Sequence, residues 1–164
     1  IESAFRNYRE IIARITEPGT LDGGDVLRNG QRVFVGLSQR SNQAAIDQLS
    51  ASVTPFGYQV TAVPMQDCLH LKSSVTALSD DTVLINPNWV DTSYFNDYRQ
   101  IKVASTEPHA ANVVRIGENI LMPANFPETQ ALIEASGFTV YTVDVSELQK
   151  AEGAVTCCSV LFKA

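Results

Sequence analysis

The feature that most constrains this sequence is an order of strand, turn, strand, helix and strand that occurs three times, at a spacing of about forty residues. The first copy turns at Asn29-Gly30, a residue pair that favours a tight hairpin. The second turns at Asp80-Asp81 and the third at Gly117-Glu118. Because each helix is short and each unit returns as a strand, the pattern predicts an α/β fold: a closed, propeller-like ring of ββαβ modules, with helices outside and a solvent-filled centre. A stacked α/β layer fold is the alternative.

Hydrophobic periodicity and turn signals place the elements of each module. Strands are predicted at 21–27, 32–36, 58–63, 75–79, 82–85, 101–104, 112–116, 119–122 and 139–143. Helices are predicted from a cap at Ser41 to about Val53, at 89–98 and at 127–136. The flanking segments are expected to form a helix at 1–8, a strand at 10–15 and a last strand at 154–162. Because the chain opens on Ile1 within the first of these, we expect it to be the C-terminal part of a longer polypeptide.

Composition narrows the class of protein. A length of 164 residues, with 45% hydrophobic and 18% charged residues, is typical of one globular domain spanning 1–164. The net charge is −6 and Lys and Arg are scattered, which argues against nucleic acid or an anionic membrane as a partner. Three cysteines, two of them adjacent, fit reduced thiols in a cytoplasmic protein better than a disulfide framework.

The adjacent cysteines lie in the last predicted strand. Successive side chains of a strand point to opposite faces, so one thiol can face a cavity while its neighbour packs in the core. We assign the first role to Cys157, as a nucleophile, and the second to Cys158. His70 lies between apolar neighbours, where a core histidine is the alternative, and His109 is predicted in a surface loop.

The segment Asp22-Gly23-Gly24-Asp25 is unusual, because two glycines between two acids cost conformational entropy. A close approach of another group or a positive φ would require them, and a bulge with solvated acids is the alternative. Cysteine, histidine and a carboxylate together are the components of thiol catalysis.

A structural zinc ion is the competing interpretation of three cysteines and a histidine. The interval from Cys68 to His70 is not a usual zinc-binding spacing, and Cys157 and Cys158 do not supply a second pair at the expected interval. We therefore expect no metal.

Four motifs carry a resemblance to a known family. The sequence resembles the dimethylarginine dimethylaminohydrolases, of the guanidine-modifying superfamily with the five-module pentein propeller, over essentially its whole length. In that family an N-terminal segment supplies further acidic residues and another arginine, so the resemblance implies an incomplete ring here. The motifs are Leu21–Leu27, Gly36–Asn42, Leu69–Ser73 and Thr156–Val160.

The resemblance implies a role for each of five residues. Cys157 would be the nucleophile, His70 the general acid/base, and Asp22 the carboxylate that contacts the histidine or the guanidinium. Arg40 would grip the α-carboxylate of the substrate, and the carbonyl of Ala151 its amino group. The reaction implied is hydrolysis of mono- or dimethylarginine to citrulline and an alkylamine through a covalent thiouronium. It needs no cofactor, and the protein would be a monomer or homodimer.

Two other functions remain open. Arginine deiminases and amidinotransferases share the fold, but the deiminases usually carry an acid two residues after the histidine, where this chain has Lys72. A non-catalytic binding module on the same scaffold is the third hypothesis. Cys68 stands where some relatives have glycine, and we expect it to be a packing residue, with a second oxidisable thiol as the alternative.

Overall fold

The computed structural model describes residues 2–10 and 12–161, whose strands form three sheets of three. Each sheet has the same topology, with its first two strands antiparallel and its third parallel to the second. The predicted repeat of ββαβ modules is therefore confirmed, and the described residues do not close it into a ring. The strands are β1 Val26–Asn29, β2 Arg32–Leu37, β3 Gln59–Pro64, β4 Val75–Ala77, β5 Thr82–Ile85, β6 Arg99–Lys102, β7 Val114–Ile116, β8 Asn119–Pro123 and β9 Thr139–Val143.

The crossover helices differ in length among the modules. In the first and third modules they are α-helices, but in the second the stretch predicted at 89–98 holds only a 3-10 helix, Thr92–Phe95. The side chain of Asp91 accepts from the amide of Ser93 and caps this short helix, so residues 89–91 lie outside it. No helix of the described ranges is long and apolar enough to cross a membrane. The α-helices are α1 Glu2–Phe5, α2 Gln43–Val53, α3 Leu71–Ser74, α4 Pro127–Ala135 and α5 Ser146–Gln149.

The cap of α2 is one residue later than predicted. The side chain of Asn42, not Ser41, accepts the hydrogen bond from the amide of Ala45, at 3.0 Å. Ser41 is instead buried, and its hydroxyl donates to the carboxylate of Asp25 at 2.7 Å. Ser41, which was predicted to cap the helix, therefore stabilises the loop before β1 through Asp25.

The modules pack through two apolar cores, and β5 contributes to both. All four of its residues are buried. Val83 and Ile85 lie in the core shared with the first module, and Leu84 lies in the core shared with the third. Because successive side chains of a strand face opposite ways, a strand between two cores must be apolar on both sides.

Both flanking strands were predicted wrongly. Residues 10 and 12–15 contain no strand, and Ile11 lies outside the described residues. Residues 154–161 form a turn at 155–158 rather than a strand, in which the amide of Ser159 donates to the carbonyl of Thr156 at 3.2 Å. A β-branched composition makes a strand only where a neighbouring strand takes its backbone hydrogen bonds, and none among the described residues does so here. Phe162 lies outside the described residues, as does Ile1 of the predicted first helix, of which Glu2–Phe5 is helical.

Candidate active site

A cavity of about 680 Å³ brings together all five residues to which a site role was assigned. Its wall includes residues 22–24 before β1, residues 69–72 before β4, and residues 151–157 after α5. The loop after β2 adds a fourth side. The five residues are Asp22, Arg40, His70, Ala151 and Cys157.

Asp22 is the electrostatic centre of this cavity. Its Oδ2 atom lies 3.3 Å from His70 Nε2 and 3.7 Å from Arg40 Nη1. Its Oδ1 atom accepts a hydrogen bond of 2.8 Å from the amide of Gly24. That amide, together with the nearby His70 and Arg40, lowers the pKa of Asp22 against the opposing effect of burial. Asp22 is therefore a carboxylate at neutral pH.

His70 presents a buried ring nitrogen to this carboxylate. The residue stands at the start of α3, and only 12% of its side chain is exposed. The contact of its Nε2 atom with Asp22 is at ion-pair distance, but within the described part of the chain this nitrogen has no hydrogen bond. A buried polar atom without a partner is costly, so Nε2 is suited to a group that enters the cavity.

The glycine pair is explained by the close approach of His70 to one of its members. A Cβ atom on Gly24 would lie 2.6 Å from His70 Cγ, whereas a Cβ atom on Gly23 would meet nothing within 4 Å. Neither glycine has a positive φ. The alternative of solvated acids is wrong for Asp25, which is fully buried, while Asp22 is partly exposed.

The two adjacent cysteines are both exposed. Cys157 lines the cavity, as predicted for the residue proposed as nucleophile. The prediction that Cys158 packs in the core is wrong, because the segment is a turn and the alternation of a strand does not apply to it.

Lys72 lines the same cavity and was considered from the sequence only as a departure from the deiminases. Burial lowers its pKa, and the charges of Cys157, Asp22 and Asp25 act against that effect. The cavity therefore holds an ammonium group close to the exposed thiol.

The remaining cysteine and histidine lie at a second cavity, of about 410 Å³. Cys68 is half-buried there, and burial raises the pKa of its thiol. His109 is exposed in a loop, as predicted, and its ring meets Trp89 edge-on at 4.8 Å. In the described ranges, no three His, Cys, Asp or Glu residues are grouped closely enough to hold a metal ion.

Fold and site together define a class of protein: a repeat of ββαβ modules whose loops place a thiol, an imidazole and a carboxylate around one cavity. Comparison with known families identifies the class. The family model for arginine deiminase matches residues 2–122. The chain belongs to the arginine deiminase family, within the pentein superfamily.

Individual relatives confirm the resemblance seen in the sequence. A dimethylarginine dimethylaminohydrolase of Streptomyces coelicolor is 43% identical over 99% of this chain and 62% of its own length. A solved structure of the Pseudomonas aeruginosa dimethylarginine dimethylaminohydrolase, a cysteine-to-serine mutant with bound citrulline, is 32% identical, with a TM-score of 0.91. That match covers 98% of this chain and 63% of the other, so the chain spans less than two thirds of either relative. The N-terminal domain of a cyanobacterial arginine dihydrolase, at 21% identity and a TM-score of 0.82, is similar in fold.

Proposed function

We propose that the protein containing this chain hydrolyses Nω-methylated arginine, releasing citrulline and an alkylamine. The observation that supports this most is the single cavity that Cys157, His70, Asp22 and Arg40 all line. The dimethylarginine hydrolase relatives, one of them solved with citrulline, support the same reaction. Residues 1–164 would be a single catalytic domain, part of a five-module propeller in a cytoplasmic monomer or homodimer.

The first half of the reaction makes a covalent intermediate. A guanidinium is a poor electrophile because its charge is delocalised, so it must be desolvated and held by an anion such as Asp22. The Cys157 thiolate adds to the guanidinium carbon, and the C–N bond to the alkylated nitrogen breaks as His70 gives that nitrogen a proton. The alkylamine leaves, and a thiouronium remains on the sulfur.

The second half consumes water. His70, now neutral, takes a proton from a water molecule that adds to the thiouronium carbon. The C–S bond then breaks, the added oxygen loses its remaining proton to solvent as the carbonyl forms, and citrulline is released, which leaves the Cys157 thiolate and a protonated His70 for the next cycle. Two positive charges favour thiolate over thiol in the first step: that of the substrate and that of Lys72, which shares the cavity.

Arg40 would bind the far end of the substrate. Its side chain is half exposed at the cavity, and its contact with Asp22, at 3.7 Å, is longer than a hydrogen bond. The guanidinium therefore keeps its paired N–H donors for an α-carboxylate, which it matches in geometry. The carbonyl of Ala151, on the same wall as Cys157, would accept from the substrate amino group.

Replacing Cys157 by serine in the full-length protein tests this function. Citrulline formation should be abolished, because a serine hydroxyl is a far weaker nucleophile than a thiolate. Cys158→Ser is the matched control, since that neighbouring thiol is also exposed and lies outside the cavity lining. Turnover retained by Cys157→Ser would reject the proposal.

Arginine deiminase activity is the second candidate, favoured by the family model that the chain matches. The ammonium of Lys72 in the cavity argues against it, because two N–H donors of an unmethylated nitrogen need acceptors and an ammonium supplies none. Rates on arginine and on asymmetric dimethylarginine, measured side by side, decide between the two substrates. A non-catalytic module is disfavoured by the position of Cys157 at the cavity that His70 lines.

A further inference from the structure

Asp25 is a buried carboxylate to which the reaction above gives no role. It ends the 3-10 helix Gly23–Asp25, and none of its surface is exposed. Its Oδ2 atom accepts hydrogen bonds of 2.7 Å from the hydroxyls of Ser38 and Ser41. Its Oδ1 atom accepts a third, of 3.0 Å, from the amide of Leu71. Burial of this charge is tolerated because both oxygens are paired.

Two of these bonds extend to residues of the cavity. The hydroxyl of Ser38 also accepts from the amide of Arg40 at 3.0 Å, and that of Ser41 from the amide of Asp22 at 2.9 Å. A hydroxyl has one proton, which each serine gives to Asp25, so its lone pairs are left to receive the backbone N–H. The chain of donors therefore runs in one direction, from the backbone to the carboxylate.

The third hydrogen bond of Asp25, from the amide of Leu71, fixes the backbone next to His70. Leu71 follows His70, is fully buried, and begins α3, whose first N–H groups have no partner within the helix. Asp25 takes one of these groups. Its two oxygens thus connect three separate loops of the cavity wall.

We propose that ionised Asp25 is the positioning residue that sets Arg40, Asp22 and His70 relative to one another. The inference rests on the proposed function for the meaning of that alignment, although the alignment itself can be measured without turnover. An amide in place of the carboxylate accepts on one atom only, and its NH2 group meets either the serine hydroxyls or the Leu71 amide as a second donor. The substitution therefore loses either the hydrogen bonds from the two serine hydroxyls or the one from the Leu71 amide.

Asp25→Asn in the full-length protein tests the proposal. The value of kcat/KM for asymmetric dimethylarginine should fall by roughly ten- to hundredfold, the effect of losing one hydrogen bond to a charged group. Glu107→Gln is the matched control, since Glu107 is also buried and accepts from the amides of Glu128 and Thr129 at the start of α4, away from the cavity. It should lower the thermal unfolding midpoint and leave kcat/KM within about twofold.

Single serine variants separate the branches of the connection. Ser38→Ala releases the amide of Arg40 and also that of Ser41, which donates to the same hydroxyl at 3.1 Å, and should raise KM about three- to tenfold with a smaller effect on kcat, because Arg40 acts in binding. Ser41→Ala releases the Asp22 segment and should lower kcat by a similar factor. Equal changes of kcat and KM in both variants would contradict the separation and with it the positioning role.

A readout without turnover distinguishes failure of this proposal from failure of the proposed function. The ring signals of His70 in spectra of histidine-labelled protein, identified with His70→Gln, should shift at neutral pH in Asp25→Asn and stay in place in Glu107→Gln. If the His70 signals shift in Asp25→Asn while the parent protein turns over no methylarginine, the proposed function is rejected and the positioning role is kept. Signals that stay in place in Asp25→Asn, or kcat/KM lowered equally by both variants, would overturn the positioning role.

Discussion

Alanine at position 24 should displace the imidazole of His70. The added Cβ atom would lie 2.6 Å from Cγ, 2.7 Å from Cδ2 and 2.9 Å from Nδ1 of that ring. Ordinary van der Waals contact begins near 3.4 Å, so the shortest of these separations must grow by 0.8 Å, the difference between 3.4 and 2.6 Å. The ring is rigid and mostly buried, so it must move as a unit or push the Gly24 segment away from it.

This displacement acts on the contact that defines the site. Nε2 of His70 lies 3.3 Å from Asp22, whose Oδ1 atom is held by the amide of Gly24 itself. A misplacement of about 1 Å can cost about a hundredfold in rate. We therefore expect Gly24→Ala to lower kcat/KM for asymmetric dimethylarginine by roughly ten- to hundredfold.

Gly23 offers a matched control one residue away. A Cβ atom there meets nothing within 4 Å, and neither glycine has a positive φ that alanine would strain. Gly23 also lines the cavity, so Gly23→Ala should leave the His70 ring in place and lose less activity than Gly24→Ala, while raising stability by about 0.4–1 kcal/mol through a less disordered unfolded chain. Citrulline formation and thermal unfolding of the two full-length variants give the comparison. Parental activity in Gly24→Ala, or equal loss in both variants, would refute the reasoning.

Three further predictions concern the charged and thiol groups. Iodoacetamide should label exposed Cys157 and Cys158 before Cys68, whose burial raises its pKa, and peptide mass spectrometry that finds Cys68 labelled first would contradict this. The pKa of Asp22 is lowered in the folded chain, so its stabilisation is present above about pH 4 and lost as pH falls through the folded pKa. Asp22→Asn should therefore flatten the acid loss of stability in denaturant titrations below about pH 4, and an unchanged slope would count against it. Arg40→Ala should raise KM for dimethylarginine roughly tenfold or more, but not for a dimethylated alkylguanidine that lacks the α-carboxylate; an equal rise for both would exclude α-carboxylate binding.

The repeat could be predicted because its signals are local. Alternating apolar runs and turn residues lie within each module, and the strands Thr82–Ile85 and Thr139–Val143 have the bounds expected from them. The same reasoning wrongly predicted a strand at 154–161, because the β-branched residues of this segment have no adjacent strand among the described residues. High β-propensity alone does not predict a strand, because it does not supply a neighbouring strand for hydrogen bonding.

The site was less accessible to local reasoning. Spacing gave candidate residues, but the grouping of Asp22, His70 and Cys157 came from family resemblance. Asp25 stood in a motif that drew attention, yet its burial depends on donors 13, 16 and 46 residues away in sequence. An acid of that kind looks solvated until the fold brings its donors to it.

The double burial of β5 limits how a protein of this architecture can change. With Val83 and Ile85 packed in one core and Leu84 in the other, this strand has no free face, so altering the central module opens both of its neighbours. Growth and loss of segments are then tolerated in the connecting loops. Those loops carry the cavity, so new substrates can be acquired by remodelling the rim while the interior stays as it is.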